Sequence, residues 1–159
     1  MTNFLRTFEF LGLSLWLGSD VFLSFVVAPG AFRILASRDQ AGAMVGFALW
    51  WMHMIGVVCG IVILLARLVR TRTFASLATP ATLCVVLMIL LTVVSQHAVS
   101  PKMAALRVQT GSIQAMAPDS PLLVEFSKLH RISVSLESGV LLAGVTCIYL
   151  MVKELAAGH

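Results

Sequence analysis

Six ionisable side chains stand where a bilayer-crossing chain has least use for them. Glu9, Asp20, His53, His97, His130 and Glu137 lie within, or at the ends of, strongly apolar stretches. At membrane depth an ionisable group costs at least about 2.5–3.5 kcal/mol on insertion scales, so each needs a partner, a proton or a task. Imidazole suits copper, zinc and iron, and a carboxylate can complete such a shell or orient a ligating histidine from behind. Spacing brings these groups onto common faces. At about 100° per residue, the steps from Glu9 to Asp20 close to within about 20°, which puts both carboxylates on one face of a helix. Gly46, Trp50, His53, Gly56 and Gly60 share a face of the second stretch, and His130, Ser133, Glu137 and Gly144 form a stripe on the last. Gln96, His97 and Ser100 close the third.

The elements that position these groups follow from composition. Of 159 residues, 59% are hydrophobic and 11% charged, against about 25% charged in a soluble domain; the mean hydropathy is +0.98. Four apolar runs, about 5–28, 43–66, 80–99 and 132–152, each approach the roughly 20 residues that cross the hydrocarbon core. They lack the alternation of barrel strands, so the expected fold is all-α: one integral membrane four-helix bundle over residues 1–159. Gly56-x-x-x-Gly60 offers a close approach to a neighbouring helix.

Boundary signals refine the spans. Pro29-Gly30 is expected to end the first helix, and Ser37-Arg38-Asp39-Gln40 reads as a capping box that starts the second near Arg38. Thr79-Pro80 and Ser120-Pro121 each place a capping hydroxyl before a first-position proline. The fourth helix then runs from Pro121 to about Leu155, and the third continues through Ser100-Pro101, kinked, towards Gly111. Two short helices and two long ones result, the long pair projecting as a hairpin beyond the bilayer.

The dense arginines at Arg67, Arg70 and Arg72 place both termini in the cytoplasm by the positive-inside rule. Asp20, His53, His97, His130 and Glu137 then converge on the outer half of the bundle. The site expected there binds copper or zinc through His53, His97 and His130, with Asp20 and Glu137 as ligands or orienters. Haem b, held by two of those histidines, is the alternative occupant. Without a ligand, the same set is a hydrogen-bonded plug that fixes helix register. Cys59, Cys84 and Cys147 sit in three different runs at similar depth, as packing residues or as a soft three-thiol site. His159, at the C-terminal end, is excluded from the site.

The stretch Leu17-Gly18-Ser19-Asp20-Val21-Phe22, with Val27-Ala28-Pro29 and Phe32, resembles the opening of a bacterial four-helix membrane domain of unknown function. That domain is similar to the eukaryotic transmembrane protein 205, which is linked to platinum-drug resistance. Phe126-x-x-Leu129-His130-x-x-Ser133 fits the start of that family's last helix. A more distant resemblance runs to copper-resistance protein D and the haem-dependent protoporphyrinogen oxidase. Their first helix often reads histidine, six residues, tryptophan, one residue, glycine; Trp16 and Gly18 match, but Glu9 replaces the histidine. The resemblance implies a bacterial inner-membrane location.

The charge of +4 is spread over short segments between spans, which suits lipid headgroups and offers no nucleic-acid surface. No Ser-His-Asp order or phosphate loop is present, so an enzyme without a cofactor is not expected. Three classes stay open: a metal-binding membrane protein, a haem b redox protein, and an accessory subunit of a homo-oligomer or larger membrane complex.

Overall fold

The structure, a computed structural model, describes residues 2–157, apart from the side chains of Thr2 and Ser76. His159 lies outside the described residues. Six α-helices follow in order: α1 (Thr2–Phe22), α2 (Ala28–Ile34), α3 (Arg38–Thr71), α4 (Pro80–Val94), α5 (Ser100–Thr110) and α6 (Pro121–Ala157). Wide π turns at Leu23–Val27 and Ser95–Val99 fuse α1 to α2 and α4 to α5, and a 3-10 turn at Phe74–Ala78 follows α3. Four continuous rods result, each long and apolar enough to cross a membrane. No strand occurs among the described residues, and the chain is an all-α membrane bundle.

Local chemistry sets the rod ends. Ser37 accepts a hydrogen bond from the Gln40 amide at 3.1 Å, capping α3 as its sequence suggests. Thr79 does the same for Thr82 ahead of Pro80. At the far end of the third rod, Gly111 takes φ 69° and sends its amide to the Arg107 carbonyl, a conformation that glycine alone adopts without cost.

Pro29 does not end the first rod. The preceding π turn sends the Ala28 amide back to the Leu23 carbonyl, and Pro29 falls in the first turn of α2, where a missing N–H is tolerated. The first two rods therefore match the other two in length, at 32 and 34 residues against 31 and 37. The hairpin connector after Gly111 is tied down rather than free. Asp39 accepts from the Ser112 hydroxyl at 2.5 Å and the Ile113 amide at 2.9 Å, and Gln114 accepts from the Arg38 amide.

The first rod packs mainly on the second and the third mainly on the fourth, with further contacts closing the ring. Trp16, Leu13, Ile63, Met88, Val140 and Cys147 form a dry central layer, each at most 1% exposed. The Gly56–Gly60 step is used as a seat for Trp16: a Cβ on Gly56 would stand 2.3 Å from the indole nitrogen. The indole, not a backbone, fills the groove. Large apolar side chains such as Phe4, Leu11, Phe25, Phe47 and Leu142 point outwards, more than half exposed, as lipid-facing residues do.

Candidate functional site

Above the dry layer, three rods deliver a buried histidine and its partners. His53, on α3, is fully buried. Its Nδ1 lies 2.8 Å from Gln96 Oε1 and its Nε2 lies 2.8 Å from Glu137 Oε1. A carbonyl oxygen only accepts, so Nδ1 carries a hydrogen. The contact to Glu137 joins an imidazole nitrogen to a carboxyl oxygen at hydrogen-bond distance, so it too contains a proton, on one atom or the other. Ser95 Oγ donates to the same Glu137 oxygen at 2.9 Å. Ser95 and Gln96 are consecutive, yet both reach the interior because they open the π turn, whose wider coil turns the helix less per residue.

Asp20 joins from the first rod, fully buried and within electrostatic range of both Glu137 and His53. Its Oδ1 accepts a 3.3 Å bond from Ser24, the second residue of the other π turn. Both π turns therefore adjoin this one cluster, and such turns recur at functional sites. Unpartnered polar atoms gather here as well. Among the described residues, the buried side-chain atoms without a hydrogen-bond partner are Asp20 Oδ2, Glu137 Oε2, Trp16 Nε1 and Thr92 Oγ1. Trp16 Nε1 lies against Gly56, one turn from His53 on α3, and Thr92 stands one turn before Ser95. A buried orphan costs about 1–3 kcal/mol, and two of these four are carboxylate oxygens of the His53 cluster itself.

Of the residues expected to form the site, the structure brings His53, Glu137 and Asp20 together and leaves His97 and His130 out. Both of these histidines are exposed. His97 is two residues from Ser95, which turns it to the opposite side of the rod. His130 stands one position past Leu129, at the edge of the buried stripe that continues through Ser133 and Glu137. It lines an open surface groove with Phe126 and Arg131. A haem between two histidines does not fit this arrangement, since among the described histidines only His53 faces the interior. Nor do the three imidazoles meet: among the described residues, no group of three or more His, Cys, Asp and Glu is placed to hold a metal ion. That covers the thiols too, Cys147 directing its Sγ to the Ala81 carbonyl at 3.4 Å.

A second polar layer closes the opposite end of the bundle, and the sequence reading did not find it. Arg67 is 3% exposed and Glu9 1%. Arg67 donates from Nε to Glu9 at 3.1 Å, from Nη1 to Thr79 and Thr82 at 2.9 and 2.8 Å, and from Nη2 to Glu154. Arg70 adds Nε to Glu9 Oε1 at 2.7 Å. Glu9 thus shares a face with Asp20 but serves a different layer, about 16 Å away along the helix. The signal was available: Glu9 begins the first rod while Arg67 and Glu154 lie near the ends of the second and fourth, so all three fall at one depth.

A family model described as a domain of unknown function, DUF4149, matches residues 11–112. The matched stretch holds Asp20, His53, Ser95 and Gln96, whereas Glu9 and Glu137 lie outside it. Comparison with curated proteins and with solved structures finds no match.

Proposed function

The chain belongs to the DUF4149 family, and we propose that it is a cation-handling membrane protein whose working group is the His53–Glu137–Asp20 cluster, with the proton as the resident cation. One observation carries this reading: His53 is clamped between Gln96 and Glu137 by two 2.8 Å contacts while Asp20 Oδ2 and Glu137 Oε2 stay unpartnered. A proton already sits in the Nε2···Oε1 contact, and two buried carboxylate oxygens can accept another. Chains of His, Asp and Glu inside a bundle are the usual form of intramembrane proton relays.

Nitrogen-15 NMR of labelled histidine, read with infrared carboxyl bands, tests it. One histidine should give a strongly hydrogen-bonded, slowly exchanging signal that disappears in His53→Ala, and acidification should shift that signal together with a carboxyl band assigned by Glu137→Gln. A histidine signal and carboxyl bands that do not move together would end the reading.

Copper or zinc is a second reading, favoured by the same two unpartnered oxygens beside the His53 imidazole. One histidine and two carboxylates suit zinc, and the Gln96 carbonyl would orient the ring from behind as metal-binding histidines require. Asp20 would have to turn towards the pair to take part. In this reading zinc displaces the shared proton, so calorimetry should record proton release on titration, absent in His53→Ala. Silence in the wild-type titration leaves the proton as the cation.

We further propose a bacterial inner-membrane location with both termini cytoplasmic, supported by Arg70 and Arg72 at one short loop. A maleimide should label Ala75→Cys only after the cells are permeabilised; labelling in intact cells reverses the orientation.

A further inference from the structure

The inner charged layer has more cation than it uses. Arg67 places its whole guanidinium inside the protein, on Glu9, Thr79, Thr82 and Glu154. Arg70 lays Nε and one terminal nitrogen along Glu9, at 2.7 and 3.3 Å. Arg6, half-buried, makes no hydrogen bond or ion pair among the described residues. All three arginines line one cavity of about 90 Å³, together with Glu9 and Glu154, where α1 begins and α3 and α6 end. Three guanidinium groups there face two carboxylates, and both carboxylates are already engaged. The remainder is positive.

We propose that this cavity binds a phosphate-bearing anion, with Arg6 and the outer edge of Arg70 as its contacts and the Arg67–Glu9 pair as a fixed floor. The planar arginine fork matches phosphate oxygens. The cavity has room for a phosphate group rather than a whole lipid. Basic pockets between helices at the membrane surface hold phospholipid headgroups in this manner. The same contacts would take free phosphate. Neither source depends on the outer His53 cluster, which lies beyond the dry layer.

Native mass spectrometry of the whole protein, exchanged into micelles containing equal phosphatidylglycerol and phosphatidylcholine, tests the site. The wild type should retain phosphatidylglycerol preferentially. Arg6→Gln, which breaks no internal bond, should reduce that preference roughly fivefold, and Arg6→Gln/Arg70→Gln should abolish it. A parallel calorimetric titration with inorganic phosphate separates the sources: binding that Arg6→Gln weakens shows a site satisfied by phosphate alone. Should Arg70→Gln fail to fold, Arg6→Gln alone decides. Equal retention of the two lipids together with no phosphate binding, or retention and phosphate binding that Arg6→Gln leaves unchanged, would overturn the proposal.

Discussion

Arg67→Met is expected to destabilise the bundle by about 3 kcal/mol, among the largest effects available to a single substitution in this chain. Breaking a buried ion pair by removing one partner costs roughly 3–5 kcal/mol, because the charge left behind has no water to turn to. The lower end applies here for two reasons. Arg70 keeps its bonds to both Glu9 oxygens, and the Glu154 side chain is 38% exposed and can hydrate. Thr79 and Thr82 also retain each other, at 2.9 Å. The measurement is the unfolding midpoint in mixed detergent micelles, followed by helical circular dichroism. Adding Glu9→Gln to Arg67→Met should recover part of the loss, since the amide leaves no buried charge. A cost below about 1 kcal/mol, the size typical of an exposed pair, would show that the Arg67 layer is hydrated and does not hold the fold together.

That layer also marks where the sequence was hard to read. Apolar run length identifies the four spans, because lipid enforces helical hydrogen bonding wherever the chain crosses it. Ser37, Thr79 and Gly111 mark helix ends through chemistry that is local to a few residues, and the structure uses all three in that way. Pro29 misleads because its effect depends on the π turn before it, which has no residue-level signature. The π turn at Ser95–Val99 has the same consequence for the site: it brings Ser95 and Gln96 inwards and leaves His97 outside. Gln96, an amide in an apolar run, is the visible clue, but metal affinity alone does not single out an amide. His53 was legible because a single histidine deep in a span has nowhere to go except inwards. Arg67 reads as loop charge because arginines at span ends ordinarily snorkel to water. Its depth-matched carboxylates, Glu9 and Glu154, were the evidence that it does not.

Asp20→Leu separates a working site from a register-fixing plug, because the two demand opposite changes in stability. A plug is stabilising when its polar atoms are satisfied, and deleting a member then leaves partners stranded. Asp20 satisfies little. Its Oδ2 has no partner, and its Oδ1 accepts only the 3.3 Å bond from Ser24, whose hydroxyl can return to the helix carbonyl four residues back. Leucine has the same branched four-atom side chain but a larger volume, so overpacking offsets part of any gain. Net of that overpacking, removing one buried, unpartnered oxygen should stabilise the protein by about 1 kcal/mol, read as a higher unfolding midpoint in micelles at neutral pH. The same variant should lose the linked movement of the His53 and carboxyl signals on acidification. If zinc is the cation, wild type should gain about 2.7 kcal/mol at a zinc concentration a hundred times its dissociation constant, and the variant clearly less. Gain of stability with loss of cation response is the signature of a group kept for use at the expense of the fold. A lower midpoint for Asp20→Leu, with the His53 signal unchanged, would instead make Asp20 part of a structural plug.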